Sequence, residues 1–353
     1  MKRFTEDAIS DWMRQPGPDH DVVISSRVRL ARNLRTIPFP ILATKTHAHE
    51  VAQLVTAAAM VPTLQEEQDF TTVPMSQLSI LEKKMLVEKH LISPHLAEGG
   101  PEGAALINAN ESASIMVNEE DHLRIQCLYP GFQLSETWQS ANRIDNLLQE
   151  QLEYAFNERF GYLTACPTNV GTGIRVSVMV HLPGVVLTSQ LQNVIKSFAQ
   201  WGVVMRGIFG EGSESLGNIF QMSNQITLGQ SEEAIVDQLT KATQQLILIE
   251  REARVGILND RRLPLLDRIF RSFGTLLYAQ MIDKVESAQR LSDVRLGVDL
   301  GLLEKVPHVI LDELLVVSQP GYLQHMEGRL MDEFEINMRR AQLIRERLWK
   351  HLR

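Results

Sequence analysis

The sequence predicts an α+β protein, and three observations carry that expectation. Alternating apolar stretches near residues 21–33, 104–117, 123–128, 174–181 and 202–222 have the period of two expected of strands, several of them joined by short turns. Between them, apolar residues recur at helical spacing. After Ser231 no strand pattern of comparable strength returns, so the last third reads as helices only.

Length and composition narrow the class further. The 353 residues, 44% of them hydrophobic, fit two domains, read as 1–255, with its motifs in 20–225, and 256–353. A net charge of -8 argues against a general nucleic-acid binder, so any basic site must be local. Two cysteines, Cys127 and Cys166, are too few for a disulfide scaffold and favour a reducing compartment. The N-terminal residues interrupt their few apolar side chains with charges, unlike a signal peptide, and the longest apolar run is far short of the ~20 residues a bilayer demands. The expectation is a cytoplasmic protein with no membrane partner.

In chain order, the turn-rich Gln15-Pro16-Gly17-Pro18 precedes a strand over 21–33, in which Arg27 and Arg29 share one face and Val28 and Leu30 the other. An exposed basic strand edge would explain those arginines; so would a clamp for an oxyanion. Helices are expected over 46–60 and 76–92, the second closed by His90, a residue type that the helix dipole favours there. Strands over 104–108 and 112–117 pair across Ala109-Asn110-Glu111 and lead into Asn118-Glu119-Glu120-Asp121-His122-Leu123-Arg124. Three adjacent carboxylates repel, so this run is either a solvated turn or a working site. The next strand, 123–128, puts Arg124 and Gln126 on one face and encloses Cys127, read as a small buried apolar residue.

Trp138, Ile144, Leu147, Leu148, Leu152 and Phe156 suggest one long helix over 136–160. The loop Cys166-Pro167-Thr168-Asn169-Val170-Gly171-Thr172-Gly173 precedes a strand over 174–181 with Arg175, Ser177 and Met179 on one side. A helix over 188–200 and a strand over 202–206 lead to a loop, 207–215, whose glycines match neither a dinucleotide fingerprint nor a P-loop. It reads as a mobile lid or a hairpin loop answered by a strand over 219–222. A long helix starts at Ser231, and the final one carries the stripe Phe334, Met338, Ala341, Ile344 and Leu348, with Arg339, Arg340, Arg347 and Lys350 on its other faces.

Five arginines end or line strands: Arg27, Arg29, Arg124, Arg175 and Arg206. Converging on one sheet face they would repel unless a polyanion neutralised them, and their planar forks suit phosphate oxygens. That points to a nucleoside triphosphate with magnesium bridging its phosphates. Glu120 and Glu211 would then grip a cationic nucleophile, a guanidinium, which needs both alignment and proton removal.

These motifs resemble the phosphagen (guanidino) kinase family and, within it, the bacterial protein arginine kinases. The resemblance rests on Ser25-Ser26-Arg27-Val28-Arg29, the run 118–124, Cys166 to Thr172, Arg175, and Arg206-Gly207 with Glu211, in the family's order. It implies an antiparallel sheet flanked by helices, followed by a C-terminal helical domain. It also implies ATP held by Ser25, Ser26, Arg27, Val28, Arg29, His90, Arg124, the run Arg175, Val176, Ser177, Val178 and Met179, and the run Arg206, Gly207, Ile208, Phe209, Gly210 and Glu211. Glu120 would be the main base, Glu211 its partner, Cys166 a contact to the guanidinium and Arg206 a catalytic cation. Magnesium would come with ATP, touched at most through water by Glu119 and Asp121.

The resemblance further implies protein substrates bearing arginine, including unfolded proteins and a heat-shock repressor, together with a Clp-type unfoldase, an activator protein and a homodimer through the C-terminal helices. Small-molecule members carry a helical domain ahead of the Ser-Ser-Arg-Val-Arg segment, which here begins at Ser25; that difference favours a protein arginine as acceptor. A C-terminal Arg-Asp-x-x-Arg-Ala motif binds phosphoarginine in these kinases; here Arg340 and Ala341 match its end while Ile336 and Asn337 replace the Arg-Asp pair. Asn337, Arg340 and Ala341 therefore form a weak candidate anchor. The rival readings are a free-arginine kinase and a non-catalytic ATP-binding adaptor, the latter having no use for two carboxylates facing a γ-phosphate.

Overall fold

The structure, a computed structural model, describes residues 4, 9–100, 102–209 and 215–352. Its centre is an antiparallel sheet built from β1 (Val23–Arg32), β2 (Thr71–Pro74), β3 (Ala104–Ile107), β4 (Ala113–Val117), β5 (Leu123–Pro130), β8 (Ile174–His181), β9 (Val203–Phe209) and β10 (Ser215–Asn224). The order across the sheet is β2-β3-β4-β5-β1-β8-β10-β9, and a separate two-stranded ribbon joins β6 (Phe156–Asn157) to β7 (Gly161–Tyr162). β1 is thus an interior strand, paired with β5 on one side and β8 on the other, so the basic-edge explanation of Arg27 and Arg29 fails.

Strand alternation divides the sheet chemically. One face carries Val28, Leu30, Ile115, Ile125, Cys127, Val176 and Val178, all nearly or fully buried. Helices α1 (Lys45–Ala59), α5 (Leu134–Gln149) and α8 (Glu232–Asp260) cover it with Val51, Val55, Ile144, Leu148, Ile235, Leu239 and Leu246. Val28, Val176 and Val178, expected at the nucleotide, therefore have their side chains in the core; two-residue periodicity sends them away from Arg27 and Arg175. The other face carries Arg27, Arg29, Gln126, Arg175 and Ser177. At its far end it is covered by α3 (Ile80–Glu88), capped by the reciprocal Ser79–Glu82 box, and by α4 (Pro94–Glu98).

A second core belongs to the C-terminal helices α9 (Arg262–Tyr278), α10 (Lys284–Asp299), α11 (His308–Val317), α12 (Pro320–Glu327) and α13 (Glu333–Leu352), through Ile269, Leu276, Val294, Leu314, Leu323 and Ile344. Polar links bind the two cores. Glu88 at the end of α3 accepts the N–H groups of Gly321 and Tyr322 at 2.7 and 2.8 Å. Arg295 donates to Asp312 at 2.6 Å, and Asp312 also meets His20. No helix of the described residues is long and apolar enough to cross a membrane.

Several boundaries differ from expectation. The long helix over 136–160 stops at Gln149. Leu152 and Tyr154 are buried from extended chain, with Tyr154 bridged to Leu34, while Phe156 is 55% exposed on the ribbon. The expected helix over 188–200 is α7 (Leu191–Ala199); a separate short helix that the sequence reading lacked, α6 (Pro183–Leu187), precedes it, and Ser189 between them takes φ 59. On α13 the stripe holds only for Ala341, Ile344 and Leu348, whereas Phe334 and Met338 are exposed.

Candidate active site

The pairing of β1, β8 and β10 puts the basic and polar residues in rows. Arg29 faces Arg175 and Gln126 across its two neighbours, Arg27 faces Ser177, and Ser25 faces Met179, which in turn faces Gln221 and then Arg206. Arg27 donates to Gln221 Oε1 at 2.7 Å and, more weakly, to Ser177 Oγ at 3.4 Å. Ser26 lies on the opposite face, where its hydroxyl donates to Gly131 O and accepts from Gln133 N, leaving it a structural role.

The charges feel one another. Burial, then Arg175 and Arg124, hold the Arg27 guanidinium down at about 10. Arg29 is pushed well below its usual value by burial and then by Arg27, Arg124 and Arg175, with only Glu119 opposing. Arg175 is lowered by burial, Arg206 and Arg124, while Cys166 and Glu120 act in the other direction. A cluster compensated only in part, at Arg124, is the electrostatic counterpart of a bound polyanion, and Arg29 Nε, buried without a partner, is a donor awaiting an acceptor. His90 follows Lys89, the C-cap of α3, in a left-handed conformation, φ 60, where burial and Arg27 lower its imidazole to about 4 and so keep it neutral.

The acidic run is no solvated turn. Asn118, at φ 56, starts the tight connection from β4 to β5, and of the three carboxylates after it Glu119 and Asp121 are buried. Glu119 accepts from Ser93 Oγ at 2.6 Å, from the Glu120 N–H at 2.8 Å and from Arg124 at 2.7 Å. Asp121 Oδ1 accepts from Asn33 Nδ2 and from Ala165 N, both at 2.6 Å, tying the turn to the loop that carries Cys166. His122 accepts the Leu34 N–H at Nδ1, so its Nε2 carries the proton donated to Pro38 O at 3.0 Å. Glu120 alone points outward, its side chain 42% exposed and its Oε2 holding Arg124 at 2.8 Å.

Loop 163–173 completes the site. Thr227 Oγ1 donates to the carbonyls of Thr168 and Val170, and a Cβ on Gly171 (φ 115) would lie 2.3 Å from Thr227 O, so only glycine lets the loop pack here. Cys166 Sγ lies 3.0 Å from Thr168 Oγ1. Glu120, Cys166, Arg29, Arg124 and Arg175, with Thr168 and Asn169, line one hollow of about 220 Å³. A larger hollow of about 820 Å³ between α7, α8 and α9 contains none of these groups and is not the site.

Among the described residues no group of three or more His, Cys, Asp or Glu side chains could hold a metal; Glu119 is spent on Ser93, the Glu120 N–H and Arg124, while Asp121 uses Oδ1 and keeps Oδ2 buried without a partner. Gly210 and Glu211 lie outside the described residues, as does the Phe209 side chain. Gln221, which fixes Arg27, escaped the sequence reading, though its alternation with Phe220 and Met222 was available. The candidate phosphoarginine anchor is corrected: Arg340 is 2% exposed, not on an outer face, and spends its fork on Ser318 O, Ile282 O and Asn337 Oδ1. Ala341 sits in the second core.

Comparison with known proteins agrees with this geometry. Residues 50–253 match the ATP:guanido phosphotransferase C-terminal catalytic domain, and residues 262–352 match the protein-arginine kinase McsB C-terminal domain. The chain is 53% identical over 348 residues to a protein-arginine kinase of Brevibacillus brevis, covering 99% of this chain and 98% of that one. It is 51% identical over 346 residues to that of Geobacillus stearothermophilus, covering 98% and 95%. Among solved structures, a lombricine kinase crystal structure aligns with TM-score 0.60 and 25% identity over 71% of this chain and 72% of that one. The duplicated taurocyamine kinase of Schistosoma mansoni aligns with TM-score 0.57 over 67% and 33%, and at 23% identity shows the fold alone.

Proposed function

The chain belongs to the ATP:guanido phosphotransferases and, among them, to the bacterial protein-arginine kinases, and from that membership we propose how its residues carry the reaction and what the reaction serves. Arg27, Arg29, Arg124, Arg175 and Arg206 receive the triphosphate of ATP, and the orphaned Arg29 Nε together with the mutual repulsion of the cluster supports that fit. Magnesium would come with the nucleotide and shield the charge of its phosphates, with Glu119 and Asp121, both turned into the protein, meeting it at most through water. Glu120 takes a proton from the substrate guanidinium, whose nitrogen then forms the bond to the γ-phosphorus as the bond to the bridging oxygen breaks and ADP leaves. The arginines hold the transferred charge, and Cys166 lies against the guanidinium. Glu211, by resemblance, is the second carboxylate.

The observation that carries this reading is the single hollow shared by Glu120, Cys166, Arg29, Arg124 and Arg175. By resemblance the products are proteins marked for a Clp-type protease, and a heat-shock repressor is among the substrates, with an activator protein as partner and the cytoplasm as the setting. Exposed Phe334, Met338 and Tyr278 on α13 and α9 support self-association through the C-terminal helices.

The test compares kcat/KM for free arginine with that for one arginine in an unstructured peptide. Remote contacts of the peptide align its guanidinium and appear in turnover as well as in apparent affinity, so the peptide is the better substrate. An equal or higher value for free arginine would replace this reading with a free-arginine kinase.

A further inference from the structure

Arg29 borders two hollows. It lines the Glu120 hollow described above and, together with Arg27 and His90, a second one of about 520 Å³. That volume falls within the roughly 300–1,000 Å³ of small-molecule sites. Val87, Ile92 and Met116 give the second hollow apolar lining from the strand-bearing part, and Lys284, Gln319 and Pro320 of the helical unit complete it. The junction between the two parts is braced there. Glu88, at the end of α3 and on the same hollow, spends both oxygens on the N–H groups of Gly321 and Tyr322 at the start of α12. A Cβ on Gly321 would lie 2.7 Å from Glu88 Oε2, so the brace holds α12 against α3 with no room for a side chain. Gln319, directly ahead of α12, donates from Nε2 to Leu315 O at 3.0 Å, and Lys284 opens α10. Two helices of the helical unit thus begin beside the phosphate-binding arginines.

We propose that the nucleoside of the bound triphosphate occupies this second hollow, so that Gln319, Pro320 and Lys284 of the helical unit form one wall of the nucleotide site. The inference rests on the ATP-dependent reading above and adds to it nucleotide-contacting residues outside the matched phosphotransferase domain, which ends at residue 253. Continuity identifies the occupant. A triphosphate laid across Arg29 with its γ-phosphate in the Glu120 hollow runs with its α-phosphate toward the hollow that Arg29 and Arg27 share. Beyond the α-phosphate come a hydroxylated sugar and a flat base. The base suits the apolar Val87, Ile92 and Pro320, the sugar hydroxyls suit the Gln319 amide, and the Lys284 ammonium suits the adjoining phosphate charge. The hollow of about 820 Å³ touches none of the five arginines and so cannot continue the same ligand.

The test reads affinity rather than turnover, on the full chain, with ATP and with inorganic tripolyphosphate, each as its magnesium complex. Wild type should bind ATP about ten-fold or more tightly than tripolyphosphate, as burial of a base allows. Gln319→Trp fills the hollow from the helical unit and Val87→Trp fills it from α3. Each should weaken ATP by about ten-fold or more, with tripolyphosphate held within about two-fold and the melting temperature kept. Gln319→Ala leaves the space open and should keep ATP within about three-fold of wild type. A second measurement needs no variant: ATP carrying a photoreactive azide on its base should label wild type on the segment around Val87 or on the residues around Lys284 and Gln319. Tryptophan variants that bind ATP normally, or that lose ATP and tripolyphosphate together while melting normally, overturn the proposal. So does label confined to β8 and β10, or a wild type that binds ATP no better than tripolyphosphate. If wild type binds neither ligand, the ATP-dependent reading itself fails and this proposal falls with it.

Discussion

Arg124 holds two carboxylates at once, Glu119 at 2.7 Å and Glu120 at 2.8 Å, and so stands between the base and the phosphate-binding cluster. At this scale Cys166 separates two chemistries. Its sulfur borders the hollow and raises the charge preference of Arg175, so Cys166→Ser should lower turnover by roughly ten-fold or more with an unchanged melting temperature, and ATP with substrate should slow alkylation of the wild-type thiol. A lowered melting temperature with normal turnover would make it a packing residue. His90 gives a pH signature. Its folded value, about 4, lies below the ordinary 6.5, so between these values the unfolded chain binds more protons and stability falls as pH falls. His90→Gln should flatten that part of the stability curve relative to wild type, as thermal melts from pH 7 to pH 4 would record; parallel curves would contradict the assignment. The sequence made the arginine set legible because alternation with Val28 and Leu30 is a local pattern. It could not make the inward roles of Glu119 and Asp121 legible, since Ser93, Asn33 and Ala165 come from distant segments.

Elements hold these residues through buried ion pairs as well as apolar packing. Arg32, at the end of β1, is 1% exposed; it bonds Asp145 on α5 at 2.6 Å, reaches Glu232 at the start of α8, and stacks 3.6 Å over the Tyr162 ring. Asp145→Ala would leave that guanidinium with Glu232 at 3.2 Å as its one remaining carboxylate, beside the carbonyls of Ala31 and Thr172, and should cost about 3–5 kcal/mol in urea unfolding. A loss under about 1 kcal/mol would mean Glu232 and the tyrosines suffice. The strands were readable from their periodicity and the helices from their stripes. The overlong helix over 136–160 was misread because Leu152 and Phe156 continue the spacing of Leu148 while tertiary contacts with Leu34 and the β6–β7 ribbon draw the chain straight. Arg340 was misread for the opposite reason: a charged residue was assigned to a wet face, although three acceptors inside the helical unit receive its fork.

The whole molecule joins two cores through polar contacts between residues far apart in sequence, such as His20 with Arg295 and Asp312, and Glu88 with the start of α12. The division into a strand-bearing part and a helical part could be read from the chain, but this seam could not, because no local pattern encodes pairings across hundreds of residues. What the assembly delivers is one outward carboxylate in a hollow shared with Arg29, Arg124 and Arg175, and the central claim is that this carboxylate is the base. The direct measurement is acid-labile phosphate on the arginine of an unstructured peptide, made with magnesium ATP by wild type and by Glu120→Gln, alongside nucleotide affinity. The account predicts transfer reduced by about 10²- to 10⁴-fold in the variant with nucleotide binding retained; transfer above about a tenth of wild type would contradict it.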